Sequence, residues 1–163
     1  MNIGIINTGK GADYIICDAS FNSDPGSGFY NSNIINTGDG NDIITEISGH
    51  SILNIGTINT GSGNDSIIAN GGFESNIDGI GSVFLENGED YLNGFGSNNF
   101  YGGNGKDTLE LTPGSYTIGR SGTTVNFTKD SIIMNTSEFE KLIAGGTTYD
   151  FSSLTNGQTI FVA

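Results

Sequence analysis

Large apolar residues recur along this chain at two positions fixed relative to an aspartate. When Asp13, Asp42, Asp65, Asp90 and Asp107 are brought into line, the residue seven places upstream is Ile6, Ile35, Ile58, Val83 or Phe100. The residue two places downstream is Ile15, Ile44, Ile67, Leu92 or Leu109. The neighbours of each anchor are mostly small or polar, the pattern of a short strand that buries one face. Each repeat is therefore expected to supply two inward anchors flanking a turn, and the stacked anchors to form a core in which each repeat is buried only by its neighbours. The aspartates are separated by 29, 23, 25 and 17 residues, the spacing of a repeat architecture rather than of a sandwich.

The length differences fall between the second anchor of one repeat and the first of the next. Residues 17–31 are the longest insertion, with Pro25-Gly26 marking a turn, and residues 46–52 and 69–80 are shorter excursions. Each reads either as a loop away from the turn or as a disordered linker. After Thr108 the pattern changes. Thr108 to Leu111, Ser115 to Ile118, Thr123 to Phe127 and Ser131 to Met134 read as successive strands separated by Pro113-Gly114, Arg120-Ser121-Gly122 and Lys129-Asp130. The stretch from Ser137 to Ile143 opens either a helix, by its Ser-x-x-Glu capping pattern, or a strand of a terminal sheet. The expected organisation is repeats over residues 1–109 and a small β cap over 110–163 that covers the last repeat.

The turn between the anchors carries the chemistry. It reads Asn36-Thr37-Gly38-Asp39-Gly40-Asn41-Asp42 in its clearest copy and is nearly unchanged from Asn59 to Asp65 and from Asn7 to Asp13. Two copies have drifted, with Glu86 in the place of the first glycine before Gly88 and Asp90, and Gly103, Gly105 and Asp107 in the last. Glycines two apart let the backbone take positive φ and turn successive carbonyl oxygens inward. The aspartate adds a formal charge, and the result is an all-oxygen site suited to a hard cation. The expected metal ligands are Asp13, Asp42, Asp65, Asp90 and Asp107, with Glu86 as a further carboxylate. The carbonyls come from the turns at Gly9, Gly11, Gly38, Gly40, Gly61, Gly63, Gly88, Gly103 and Gly105. The competing reading is that these aspartates only bond their own backbone.

The unit Gly-x-Gly-x-Asp-x-(Ile/Leu) resembles the nonapeptide of the RTX, or hemolysin-type, calcium-binding repeat proteins. The resemblance covers residues 7–109 by motif. It implies an all-β fold, a right-handed parallel β-roll or β-helix of about five coils followed by the C-terminal cap, with Ca2+ as the cofactor. It also implies secretion by a type I machinery that reads the C-terminal region, and an extracellular or cell-surface location. That family repeats its motif every nine residues, on both edges of the roll. The wider steps here imply one motif per coil and ligands on one edge only.

Charge sharpens this picture. The 163 residues carry a net charge of −13, and residues 1–107 hold thirteen acids against Lys10 and Lys106. Such a field argues against nucleic acid or an anionic membrane as partner and for bound cations. No apolar stretch is long enough to span a bilayer. The single cysteine, Cys17, excludes an internal disulfide and has no histidine to activate it. The lone His50 lacks a partner for a transition metal. Asp18, Asp24 and Asp78 read as solvated loop acids, and Asp39, inside the clearest turn, either adds charge to it or is solvated.

Three function classes follow. The first is a calcium-folded module, the C-terminal part of a type I-secreted protein. The second is an adhesive or structural surface element, S-layer-like or ice-binding, on the same fold. The third is a β-helical polysaccharide lyase or epimerase, disfavoured because the few basic residues form no cluster. The chain is read as not an enzyme. Met1-Asn2-Ile3-Gly4 lacks the regions of a cleavable signal peptide, so export needs another signal or the chain is a fragment. No polar segment covers the coil of Ile3, Ile6 and Ile15, which is expected either to continue a longer chain or to self-associate.

Overall fold

A computed structural model describes residues 4–18, 29–47, 49–74 and 80–163. Among them the regular structure is β-strand with one short 3-10 helix, Phe151–Ser153. The strands with the upstream anchors are Ile5–Lys10, Ile34–Asp39, Thr57–Ser62, Ser82–Phe84 and Asn99–Tyr101. They pair in parallel in that order and in the register Ile6, Ile35, Ile58, Val83, Phe100. The downstream anchors lie on Tyr14–Cys17, Ile43–Glu46, Ser66–Ile68, Tyr91–Asn93 and Thr108–Glu110, again parallel, with Ile15, Ile44, Ile67, Leu92 and Leu109 in line. Eight of these ten anchors are fully buried, while Ile6 and Ile15 at the first edge are partly exposed. A fold of parallel strands stacked along one axis follows, as the spacing of the anchors predicts.

Two features were not anticipated. The first is a third sheet, Phe29–Asn31, Ile52–Asn54 and Phe73–Glu74, parallel and built within or at the end of the three segments read as insertions. Its interior is partly polar: the amide of buried Asn31 donates to Asn54 Oδ1 at 2.8 Å. The turn expected at Pro25-Gly26 lies outside the described residues.

The second is that the stack runs on past residue 109. Thr108–Glu110, read as the first cap strand, belongs to the repeats. Ile132–Ser137 then pairs in parallel with Asn99–Tyr101, placing Thr136 beside Phe100, and Lys141–Ala144 pairs in parallel with Thr108–Glu110, placing Leu142 beside Leu109. The stretch after Ser137 is thus a strand and not a helix. Between these layers Gly114–Ser121 and Thr124–Lys129 form an antiparallel hairpin that extends the long sheet. Thr159–Val162 and Thr147–Asp150 close the long and the second sheet with antiparallel edges.

The core changes character along the axis. The first repeats bury mainly aliphatic residues, Phe73, Phe95 and Phe100 join them further along, and the cap adds Tyr116, Phe127, Phe139 and Phe151 to its aliphatic residues, with Phe151 in ring contact with the two other phenylalanines. Three basic residues serve this end. The Arg120 guanidinium donates to the carbonyls of Phe151 and Leu154, at 3.1 Å each, Lys129 donates to the Pro113 carbonyl, and Lys141 pairs with Asp150 at 3.3 Å.

Candidate metal centre

Stacking the repeats in register stacks their turns. Gly9, Gly38 and Gly61 are cross-strand neighbours, as are Gly88 and Gly105. At Gly61, with φ +97, an added Cβ would lie 2.0 Å from the Gly38 carbonyl oxygen, and at Gly105, with φ +145, 1.5 Å from that of Gly88. Both the backbone angle and the approach of the neighbouring carbonyl exclude a side chain there. Carbonyls of Gly9, Gly11, Gly38, Gly40, Gly63 and Gly88 and of Glu86 each lie against a glycine of the next repeat, the last against Gly103. Two rails of backbone oxygen therefore run along the turn edge.

The five aspartates form a column beside the rails. Each of the last four carboxylates accepts, through Oδ1, the backbone N–H of the aspartate one repeat earlier. The distances are 2.8 Å from Asp13 N to Asp42, 2.8 Å from Asp42 N to Asp65, 2.7 Å from Asp65 N to Asp90 and 3.0 Å from Asp90 N to Asp107. The column has a sixth member: Asp107 N donates to Glu140 Oε2 at 2.8 Å. Asp42, Asp65, Asp90 and Asp107 are at most 1% exposed, and Asp13 is half-buried. Their second oxygens, Oδ2 of all five, are buried with no hydrogen-bond partner among the described residues.

A buried carboxylate that uses one oxygen and leaves the other dry is costly when ionised. Burial raises the pKa of Asp65, and it raises that of Asp90 to about 7, with Asp107 and Asp65 as like charges on either side. Asp107 rises to about 6, through burial first and then through Glu140, Glu138 and Glu89. The N–H bonds to Oδ1 act in the opposite sense in each case.

The reading in which these aspartates bond their own backbone is corrected: in the last four Oδ1 bonds the backbone of the neighbouring repeat, and Oδ2 has no hydrogen-bond partner among the described residues. The donor set suits a hard cation: carboxylate and carbonyl oxygens, with no nitrogen or sulfur. Among the described residues no three His, Cys, Asp or Glu side chains converge as a ready-made cluster. Glu86 stands apart. It takes the glycine position with φ +73, and its carboxylate accepts from Asn59 Nδ2 at 3.2 Å on the exposed side.

Two more ladders accompany the column. Thr8, Thr37 and Thr60 each donate their hydroxyl to a main-chain carbonyl of the following repeat, at 2.8 to 2.9 Å. Asn41 and Asn64 accept the N–H groups of Asn64 and Glu89. Their recurrence in the Asn-Thr-Gly and Gly-Asn-Asp phrases was the available signal. Glu140 had none, because the last turn is shortened and lacks glycine. Lys10 and Asp39 form an exposed pair at 3.1 Å that contributes little. No protein-family model matches the chain, and no curated protein matches its sequence.

Proposed function

We propose that this chain is an RTX-like calcium-binding β-roll module, right-handed and of about five motif-bearing coils, that orders when it meets extracellular calcium. The reading extends to its being the C-terminal part of a type I-secreted protein without enzymatic activity of its own. The observation that carries it is the column of five buried Oδ2 atoms without a partner, beside two rails of carbonyl oxygen. Bound calcium would supply the positive charge that this column lacks. Asp42, Asp65, Asp90 and Asp107 would hold it with the carbonyls of the adjoining turns, and Asp13 would do so at the outer end. Since their Oδ1 atoms are already committed to the ladder, Asp42, Asp65, Asp90 and Asp107 each offer one oxygen.

At tenfold excess over its dissociation constant, each site adds about 1.4 kcal/mol. Four intervals between five aspartates then supply roughly 5 to 6 kcal/mol, comparable to the stability of a small domain. Affinities of about 0.1 to 1 mM, usual for extracellular modules, would leave the repeats loose in a cell and ordered outside it. The test is a calcium titration followed by far-UV circular dichroism and thermal melting, with magnesium as control. The reading expects β-structure and melting temperature to rise together with calcium; a spectrum and melting temperature unchanged by chelator would overturn it.

A further inference from the structure

Where the repeats meet the cap, the outward side chains of the long sheet form two rows. One runs from Asn59 through Phe84, Tyr101 and Ser137 towards Thr124 on successive strands, and the other through Ser82, Asn99, Asn135 and Asn126. Phe84 and Tyr101 stack face to face, with centroids 4.7 Å apart and planes 8° apart. The next residue in that row is Ser137, so the stack stops. The uncovered face of Tyr101 becomes one wall of an open cleft of about 230 Å³, bounded by Asn99, Asn135, Ser137 and Thr124.

The rim is chemically paired. Asn135 Nδ2 donates to Asn99 Oδ1 at 3.2 Å. That bond leaves the N–H groups of Asn99 and the carbonyl oxygen of Asn135 as a donor and an acceptor on two residues that line the cleft with Tyr101. A flat apolar ligand would fill the cleft but leave both amides unpaired, at a cost. A ring with one C–H face and neighbouring hydroxyls satisfies the whole wall. The cleft is below the range of drug-sized pockets and suits a single ring. An acidic sugar is disfavoured by the chain's charge of −13.

We propose that this cleft binds one pyranose unit of a neutral glycan, its C–H face stacked on Tyr101 as the third member of the Phe84–Tyr101 stack. One hydroxyl accepts from Asn99 Nδ2 while its neighbour donates to Asn135 Oδ1, and the Ser137 and Thr124 hydroxyls line the far side. The site goes beyond the calcium reading and does not rest on it, because none of its residues belongs to the aspartate column.

The test uses the full chain in saturating calcium, with cellohexaose, mannohexaose and a β-galactan hexasaccharide as separate probes at millimolar concentration. Binding is read by saturation-transfer NMR and calorimetry. At least one probe is expected to receive saturation at its ring C–H protons. Tyr101→Ala should weaken binding about tenfold, Tyr101→Phe should leave it within about twofold, and Asn99→Ala should weaken it severalfold. Ser137→Tyr places a ring where the sugar sits, so it should abolish binding while leaving the melting temperature at or above that of the parent. Absence of transfer to all three probes would overturn the proposal, as would binding that survives Ser137→Tyr.

Discussion

Replacing Asp90 by Asn or by Ala separates the two roles of one carboxyl. Asn keeps an oxygen where the Asp65 N–H donates at 2.7 Å and exchanges the partnerless Oδ2 for an uncharged amide; Ala removes both. Above pH 7, with calcium chelated, Asp90 is ionised in a site that lifts its pKa from 3.8 to about 7. That shift costs the fold roughly 4 kcal/mol relative to an ordinary carboxyl. The buried amide of Asn returns about 1 to 2 kcal/mol of that cost, so Asp90→Asn should stabilise the chelated protein by about 2 kcal/mol or more. Ala relieves the same charge but leaves the buried Asp65 N–H without an acceptor, at about 1 to 3 kcal/mol, and so falls below Asn. In saturating calcium the order inverts, because both variants lose a ligand and the parent becomes the most stable. The assay is fraction folded by far-UV circular dichroism across urea, at pH 8, in chelator and in calcium. An Asn variant less stable than the parent in chelator would refute the reasoning, and so would an Asn variant equal to Ala.

Because the carboxyls of Asp65, Asp90 and Asp107 are raised, the folded state holds protons more tightly than the unfolded chain between about pH 4 and 7. In chelator, stability should therefore fall as pH rises through that window, and the gain from calcium should be larger at pH 8 than at pH 5; urea midpoints at a series of pH values check both. Gly61→Ala drives a Cβ to 2.0 Å from the Gly38 carbonyl and should cost several kcal/mol by chemical denaturation. Gly9→Ala, with a similar positive φ but nothing within 4 Å among the described residues, should cost only about 1 to 2 kcal/mol. Cys17 is buried, and burial together with Glu46 pushes its thiol up to about 12. A thiol-specific reagent should label it slowly in calcium and quickly in chelator, and equal rates would mean that the first repeats do not open when calcium is removed.

The two columns of inward anchors were legible because burial had forced a large apolar residue into the same place five times, while the loops between absorbed every difference in length. The column of aspartates was legible for the same reason. The third sheet escaped because its strands are three residues or fewer and its inward positions include Asn31 and Asn54, which look like loop residues until their amides pair. Their separation of 23, equal to that of Asp42 and Asp65, marked them as one register all along. That Ile132–Ser137 and Lys141–Ala144 continue the parallel stack escaped because a hairpin separates them from the repeats they join, and because Glu140 reaches the Asp107 N–H from a turn with no glycine in it. What the turn does chemically was half legible. The sequence pattern carries the residue types but not the one-repeat offset by which each carboxylate serves its neighbour, since that offset exists only once the strands are in register.

The aromatic cap also bears on the order in which the molecule takes shape. The interior around Tyr116, Phe127, Phe139 and Phe151 contains no column of buried carboxylates, so its formation carries no such electrostatic penalty. It is the natural seed, and its Lys141–Ala144 strand offers the template on which Thr108–Glu110 and then each earlier layer can zip. A ribosome delivers the chain in the opposite direction, and the cap emerges after the repeats. If the cap forms first, the acidic repeats are released during synthesis before their template exists, and their assembly would run backwards along the sequence, from the cap towards Ile5.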